Sequence, residues 1–195
     1  MAYACERPPV GIPADQAART AASVPVLETA RLHLRALRAA DFDVWAPIAC
    51  TERGAYIGGP MSREDAWFDF IQLAASWMLH GFGGWTITMK GSDIPLGFVL
   101  IGFEPGDREP ELGWLLSEAA EGQGIAEEAA RAVRAFADRL GLRSLVSYID
   151  NANTRSSALA DRLAARPDMA ATHALDAKAR FTVWRHLPTA EEARA

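Results

Sequence analysis

Only two cysteines, Cys5 and Cys50, occur in 195 residues. They lie far apart and without the short spacing of metal ligands, so neither a disulfide framework nor a zinc or other metal site is expected. No apolar run approaches the roughly 20 residues that a bilayer-spanning helix needs. The opening "MAYACERPPVG" also lacks the basic start and apolar block of a secretory signal. Positive charge is not in excess either: 20 Lys and Arg stand against 25 Asp and Glu, a formal net charge of −5, without the basic footprint of a nucleic-acid binder. The expectation is a soluble, cytoplasmic protein with no nucleic-acid or membrane partner.

What is present suits one folded unit. Half of the residues are hydrophobic, including six Trp and eight Phe, which is enough for a single well-buried core and too aromatic for a disordered chain. Pro8, Pro9, Pro13 and the small-residue run "AARTAAS" set residues 1–25 apart as a flexible N-terminal arm, with a helix over "PADQAARTAA" as the alternative. The folded domain is expected over 26–187, followed by a short C-terminal tail, 188–195.

Periodicity then orders the elements. "RLHLRAL" reads as a strand, and "AADFDVWAPIAC" as a short helix with Phe42, Trp45 and Ile48 about a turn apart. "SREDAWFDFIQLAASWMLHG" is a longer helix. Ser62 and Asp65 form a capping pair, Trp67, Ile71, Ala74 and Met78 a stripe, and Gly81 the stop. Three strands follow, "GGWTITMK", "PLGFVLIGFEP" and "ELGWLLS", separated by turn signals. A helix with Ala126, Ala129, Ala130, Val133, Phe136, Ala137 and Leu140 on one face comes next, then the strand "SLVSYI", a helix in "NTRSSALADRLAAR", and a final strand pair around "MAATHAL" and "FTVWRHL". An antiparallel meander leading into a β–α–β crossover predicts an α/β protein with a mixed sheet and helices on both faces.

One stretch, "EGQGIAEEAARAV", sets Gly122 and Gly124 at the mouth of an alanine-rich helix. Two explanations stand side by side. The glycines either end a loop before an ordinary helix, or they clear side chains from a row of backbone N–H groups so that an anion can sit at the helix's positive end.

The order of elements, with "GQGIAEEAARA" after the "ELGWLLS" strand and then "SYIDNANTRSSALADRLAARPD", resembles the GNAT superfamily of acetyl-CoA-dependent N-acetyltransferases. More narrowly it is similar to the branch of the ribosomal-protein N-terminal acetyltransferases, over roughly residues 26–187. The resemblance implies a mixed, mostly antiparallel sheet splayed at the cofactor site. The pyrophosphate loop falls on Glu121, Gly122, Gln123, Gly124, Ile125 and Ala126, whose backbone would hold coenzyme A. Glu121 departs from the usual Gln or Arg, and a carboxylate there should repel phosphate and weaken cofactor binding unless it points to solvent or caps the helix. Trp114, Leu115 and Leu116 would offer free backbone groups to the pantetheine arm.

The resemblance also implies chemistry. Glu111, at the start of the splayed strand, is the candidate base that deprotonates an acceptor ammonium, with Glu109 and Glu104 as alternatives. The tyrosine that many relatives use to protonate the departing thiolate falls on Ala160, leaving Ser156 beside the sulfur. Asn153 would bond the pantetheine and is equally suited to cap its helix. The acceptor wall falls on "TERGAYIGGPMS" with Trp45, Tyr56 and Trp67. The expected activity is acetyl transfer from acetyl-CoA to a primary amine, on a small molecule or a protein N-terminus, by direct attack in a ternary complex. The rival is a non-catalytic acyl-CoA-binding regulator, suggested by Glu121 and Ala160. A homodimer is left open.

Overall fold

The structure, a computed structural model, describes residues 3–187, so the expected tail 188–195 lies outside the described residues. The chain runs α1 (Ile12–Ala21), β1 (Leu27–Glu28), β2 (Leu32–Arg35), α2 (Phe42–Ala49), α3 (Arg63–His80), β3 (Gly84–Met89), β4 (Gly97–Gly102) and β5 (Glu111–Leu116). It continues with α4 (Ile125–Arg139), β6 (Leu145–Asp150), α5 (Thr154–Arg162), β7 (Arg166–Pro167), α6 (Met169–Leu175) and β8 (Phe181–Leu187). The strands form one sheet in the order β1-β2-β3-β4-β5-β6-β8-β7. Every neighbour pairs antiparallel except β5 with β6, which is the crossover through α4.

Alternation along the strands builds two core layers. On β4, Phe98 and Leu100 pack with α2 and α3 residues such as Phe42, Trp45 and Phe70, whereas Val99 and Ile101 pack with Ile125, Ala129 and Val133 of α4. Helices therefore cover both faces, as a half-apolar strand pattern requires. Phe42 and Phe98 are fully enclosed, each stabilising the fold by ~1.5–3 kcal/mol relative to exposure. α2 is held to the sheet by a buried ion pair, Arg35 Nη1 to Asp41 Oδ2 at 2.7 Å. Asp41 also accepts from the Arg38 N–H and from Thr86 Oγ1. Such a charge pair is tolerable inside a protein because Asp41 accepts these further bonds and Arg35 Nη1 also donates to the Ala36 carbonyl (3.0 Å). No described helix is long and apolar enough to cross a membrane.

Three expectations change. "MAATHAL" is the helix α6 and not a strand: Asp168 Oδ1 caps it at the Ala171 N–H (2.8 Å), and the strand edge it would have taken on β8 is occupied by β7. The buried face of α3 is Ala66, Phe70 and Leu73, while Ile71 is 37% and Met78 81% exposed. α3 is apolar on two neighbouring stripes, and packing against α2 and the sheet selects between them. Just past the end of α4, Leu140 is 44% exposed although the rest of the expected face is buried or packed against the core. In the segment read as an arm, α1 occupies most of the alternative helical stretch, none of its residues is buried, and Glu6 pairs with Arg63 of α3 at 2.8 Å.

Candidate active site

The sheet opens between β5 and β6. One residue pair, Glu111 with Val146, joins them, supported by the Val146 N–H on the Pro110 carbonyl (3.0 Å). In an unbroken parallel ladder the next bond would run from the Tyr148 N–H to the Leu112 carbonyl. Tyr148 instead donates to Glu111 Oε1 (3.3 Å), and the Leu112 carbonyl accepts from Ser147 Oγ (2.5 Å). Ser147 Oγ in turn lies 2.9 Å from Nε2 of His186, whose pKa burial lowers to about 4, so the ring is neutral. The separating strands thus replace ladder bonds with side-chain bonds.

Strand geometry decides which backbone groups face the opening. Ser117 donates its N–H to the Leu96 carbonyl of the β4 side (2.9 Å). Backbone groups alternate sides along a strand, so in this register Glu111, Gly113 and Leu115 bond toward β4, while Leu112, Trp114 and Leu116 face β6. Trp114 and Leu116 are therefore placed as expected. Leu115 is not: its backbone belongs to the β4 ladder, and its side chain, 9% exposed, joins the apolar wall beneath α2.

The glycine pair behaves as a backbone device. Gly122 and Gly124 have φ of 72° and 74°, a region that strains residues with a side chain. A Cβ on Gly122 would meet nothing within 4 Å, so conformation and not crowding by the protein demands glycine there. Gly124 is the N-cap of α4 and supplies no side-chain acceptor, so the N–H groups of the first turn are left without intrahelical partners. The loop is pinned from both sides. Gln123 Nε2 donates to the Ala119 carbonyl (2.6 Å), and Arg31 Nη2 to the Gln123 carbonyl (3.1 Å). Ile125 is buried in the core, and Ala126 lines the groove outside it.

Glu121 neither points away nor caps the helix. Its carboxylate is gripped by Arg53 from the α2–α3 loop (2.5 Å) and by Arg155 of α5 (2.7 Å). Burial acts to raise its pKa, but the bonds from Arg155 and Arg53 outweigh it and hold it below the usual carboxylate range. Arg53 also donates to the Leu116 carbonyl (3.1 Å). Sequence reasoning missed both arginines, which lie in other elements and carry no local signal.

On the other side of the opening lies a second cleft, lined by Glu111, Glu104, Asp69, Trp45 and Tyr56 among others. Glu111 keeps some surface there, yet burial pushes its pKa up to about 8, against the Tyr148 N–H and with help from the charges of Asp107 and Glu104. Of the two alternative bases, Glu109 is engaged by Arg185 (2.6 and 3.0 Å) and by Ser144, and the Arg185 bonds keep it ionised at low pKa. Glu104 faces the cleft, its pKa raised by burial. Trp45 and Tyr56 line this wall, and the Tyr56 hydroxyl donates to the Ala152 carbonyl (3.3 Å). Trp67 does not line it and packs edge-on against Phe42 instead.

The groove of the glycine loop and the cleft of Glu111 share Tyr56, Ile57, Trp114, Leu115, Asn153 and Ser156. Asn153 Oδ1 accepts the Ser156 N–H (3.1 Å), so Asn153 is the N-cap of α5 and also faces both spaces. Ala160, one turn further on, is fully buried against Ile149 and Ala165. A helix start with open N–H groups and two strand residues with gap-facing amides fit a long, phosphorylated, amide-containing ligand.

Residues 31–166 match the family model described as an acetyltransferase (GNAT) domain. Among solved structures, an acetyltransferase from Agrobacterium tumefaciens is 34% identical, with 83% of this chain and 94% of that chain covered and a TM-score of 0.75. RimL, a ribosomal α-N-protein acetyltransferase solved in complex with coenzyme A, shares the fold at 19% identity, covering 74% of this chain and 85% of its own with a TM-score of 0.59. So does the microcin self-immunity acetyltransferase MccE, solved with acetyl-CoA and AMP, at 12% identity, 82% and 93% coverage and a TM-score of 0.62.

Proposed function

Because the chain belongs to the GNAT acetyltransferase family, we propose that it transfers the acetyl group of acetyl-CoA to a primary amine by direct attack within a ternary complex. The observation that carries this is the meeting of the two spaces. The groove with the glycine loop and the cleft with Glu111 join over Trp114, Leu115, Asn153 and Ser156, so a thioester entering from one side and an amine from the other come together at the splay.

Each residue then has a task. The N–H groups at Gly122 to Ala126 receive the pyrophosphate, with Gln123 holding the loop in shape. Trp114 and Leu116 pair with the pantetheine amides, and Leu115 contributes apolar surface. Acetyl-CoA supplies the activated acyl group. An acceptor ammonium, with a pKa near ~10, must lose a proton before its nitrogen can attack, and Glu111 takes that proton. The amine's positive charge beside Glu111 favours the carboxylate and draws its pKa down from the value of the empty cleft. Ser156 donates a hydrogen bond to the sulfur as negative charge builds on it. Arg53 and Arg155 neutralise Glu121, which answers the repulsion expected of a carboxylate at the pyrophosphate loop.

The test is thiol release from acetyl-CoA over a panel of primary amines, with mass spectrometry of the products. N-acetylated amine accompanying free thiol is the expected result. Coenzyme A binding without turnover on any amine refutes the catalytic proposal and favours a regulator.

A further inference from the structure

Ser147 and His186 are buried polar residues that the proposed acetyl transfer leaves without a task. Strand register puts them together. Between β6 and β8, Leu145 pairs with Leu187 but Val146 pairs with Arg185, so His186 is the extra residue of a β-bulge, an irregularity that re-aims a side chain. The neighbouring Arg185 anchors the bulge through Glu109 and Asp168, at 2.6 and 2.7 Å. From this position the His186 ring reaches Ser147 Oγ on β6, 2.9 Å from Nε2. It also meets the ring of Trp114 on β5 edge-on, at 6.3 Å between centroids.

The acceptors fix the direction of the protons. Ser147 donates to the Leu112 carbonyl (2.5 Å), so its lone pair accepts from the His186 Nε2–H. Nδ1 is then a bare lone pair, and it has no partner among the described residues. Burial and the charge of Arg134 keep a second proton off the ring. A chain of bonds therefore runs one way, from His186 to Ser147 to Leu112, in an enclosed setting where such bonds reinforce one another.

The chain ends on the carbonyl that the next parallel rung would use. With Ser147 on it, the Tyr148 N–H turns to Glu111 Oε1 (3.3 Å), and the strands part. Without the hydroxyl, that carbonyl would be a buried acceptor lacking a partner, and the Tyr148 N–H is the donor that parallel register supplies.

We propose that Ser147 and His186 are positioning residues for the cofactor: by occupying the Leu112 carbonyl they stop the β5–β6 ladder one rung early and hold the gap beside Trp114 open before the pantetheine arm arrives. This rests on the acetyltransferase reading above and identifies what prepares its cofactor site. Both residues act through the backbone of β5. A gap already open spares the ligand the cost of breaking a rung, so the fraction of molecules in the open form sets the apparent affinity.

The experiment uses the full chain, Ser147→Ala, His186→Phe and the double variant, with coenzyme A calorimetry and amide exchange of Tyr148 followed by NMR in the absence of ligand. In Ser147→Ala the coenzyme A dissociation constant should rise ~3- to 10-fold, and the Tyr148 amide, now in the ladder, should exchange at least ~10-fold more slowly. In turnover the KM for acetyl-CoA should rise by a similar factor, with a smaller change in kcat. His186→Phe keeps a ring against Trp114 but removes the Nε2 donor, so it should shift both readouts the same way by less. The double variant should lose no more affinity than Ser147→Ala, because His186 acts through Ser147. If Ser147→Ala does not fold, His186→Phe carries the same two measurements. Unchanged coenzyme A affinity in folded variant, a loss of affinity with Tyr148 exchanging as in the wild type, or fully additive losses in the double variant overturn the proposal. Failure to acetylate any amine refutes the catalytic reading alone, since affinity and exchange are both read without turnover.

Discussion

Replacing Glu111 by Gln keeps size and the bond from the Tyr148 N–H but removes the titrating group, and two quantities should respond. The first is stability. Glu111 titrates near 8 in the folded chain against 4.5 for an ordinary glutamate, so between those values the folded state binds more protons than the unfolded one. Stability is then undiminished below pH ~4.5, falls as pH rises, and reaches its full deficit above pH ~8, on the order of 3–5 kcal/mol. Glu111→Gln escapes that loss, so its advantage over the wild type in denaturant midpoint should grow from pH 5 to pH 9 and then level off. The second quantity is rate. For the free enzyme, kcat/KM should rise through pH ~8 as the carboxylate forms. The variant should lose that limb and run ~10²-fold slower near pH 8, with the deficit shrinking as pH approaches the amine's own pKa. Urea titrations at several pH values and the thiol-release profile measure both. A stability difference that does not change with pH would refute the burial argument, and a wild-type pH–rate profile in the variant would refute the assignment of Glu111 as base.

Gly124→Val forces a β-branched residue into φ 74° at the N-cap of α4, and the coenzyme A dissociation constant should rise at least ~10-fold, about 1.4 kcal/mol, in calorimetry on folded variant; unchanged affinity removes the phosphate-loop role. Asn153→Ala deletes the cap on the Ser156 N–H and should cost on the order of 1 kcal/mol in thermal or urea unfolding. Ser156→Ala should leave stability nearly unchanged and lower kcat and kcat/KM together by ~10- to 100-fold; a stability loss without a rate loss reverses its role. Glu121→Gln frees Arg53 and Arg155 and removes a negative charge from the phosphate path, so coenzyme A should bind several-fold tighter at low salt, with a smaller gain at high salt. A weaker affinity would show that the carboxylate's hold on the arginines is itself needed for binding.

Much of the fold was legible because it is written in local periods. The Ser62–Asp65 cap, the apolar turn spacing of α2, the meander of β3, β4 and β5, and the two glycines before α4 each depend on residues within a turn or a hairpin of one another. The resemblance then pointed to Trp114, Leu116, Glu111, Asn153 and Ser156 around one opening, and the structure brings them there. What escaped was decided by neighbours distant in sequence. α3 has two apolar stripes of similar quality, and contact with α2 and the sheet selects Phe70 over Ile71. α6 could have been a strand until Asp168 capped it and β7 took the edge of β8. The resemblance groups Leu115 with Trp114, although the hydrogen-bond parity of an antiparallel pair sets its backbone against β4. The charges depended most on tertiary structure: Arg53 reaches Glu121 across 68 positions, and the raised pKa of Glu111 exists only because folding crowds it and brings Asp107 and Glu104 near. Periodicity and capping act over a few residues and can be read along the chain, whereas burial and Coulomb coupling act through space and acquire their values only when the chain has closed.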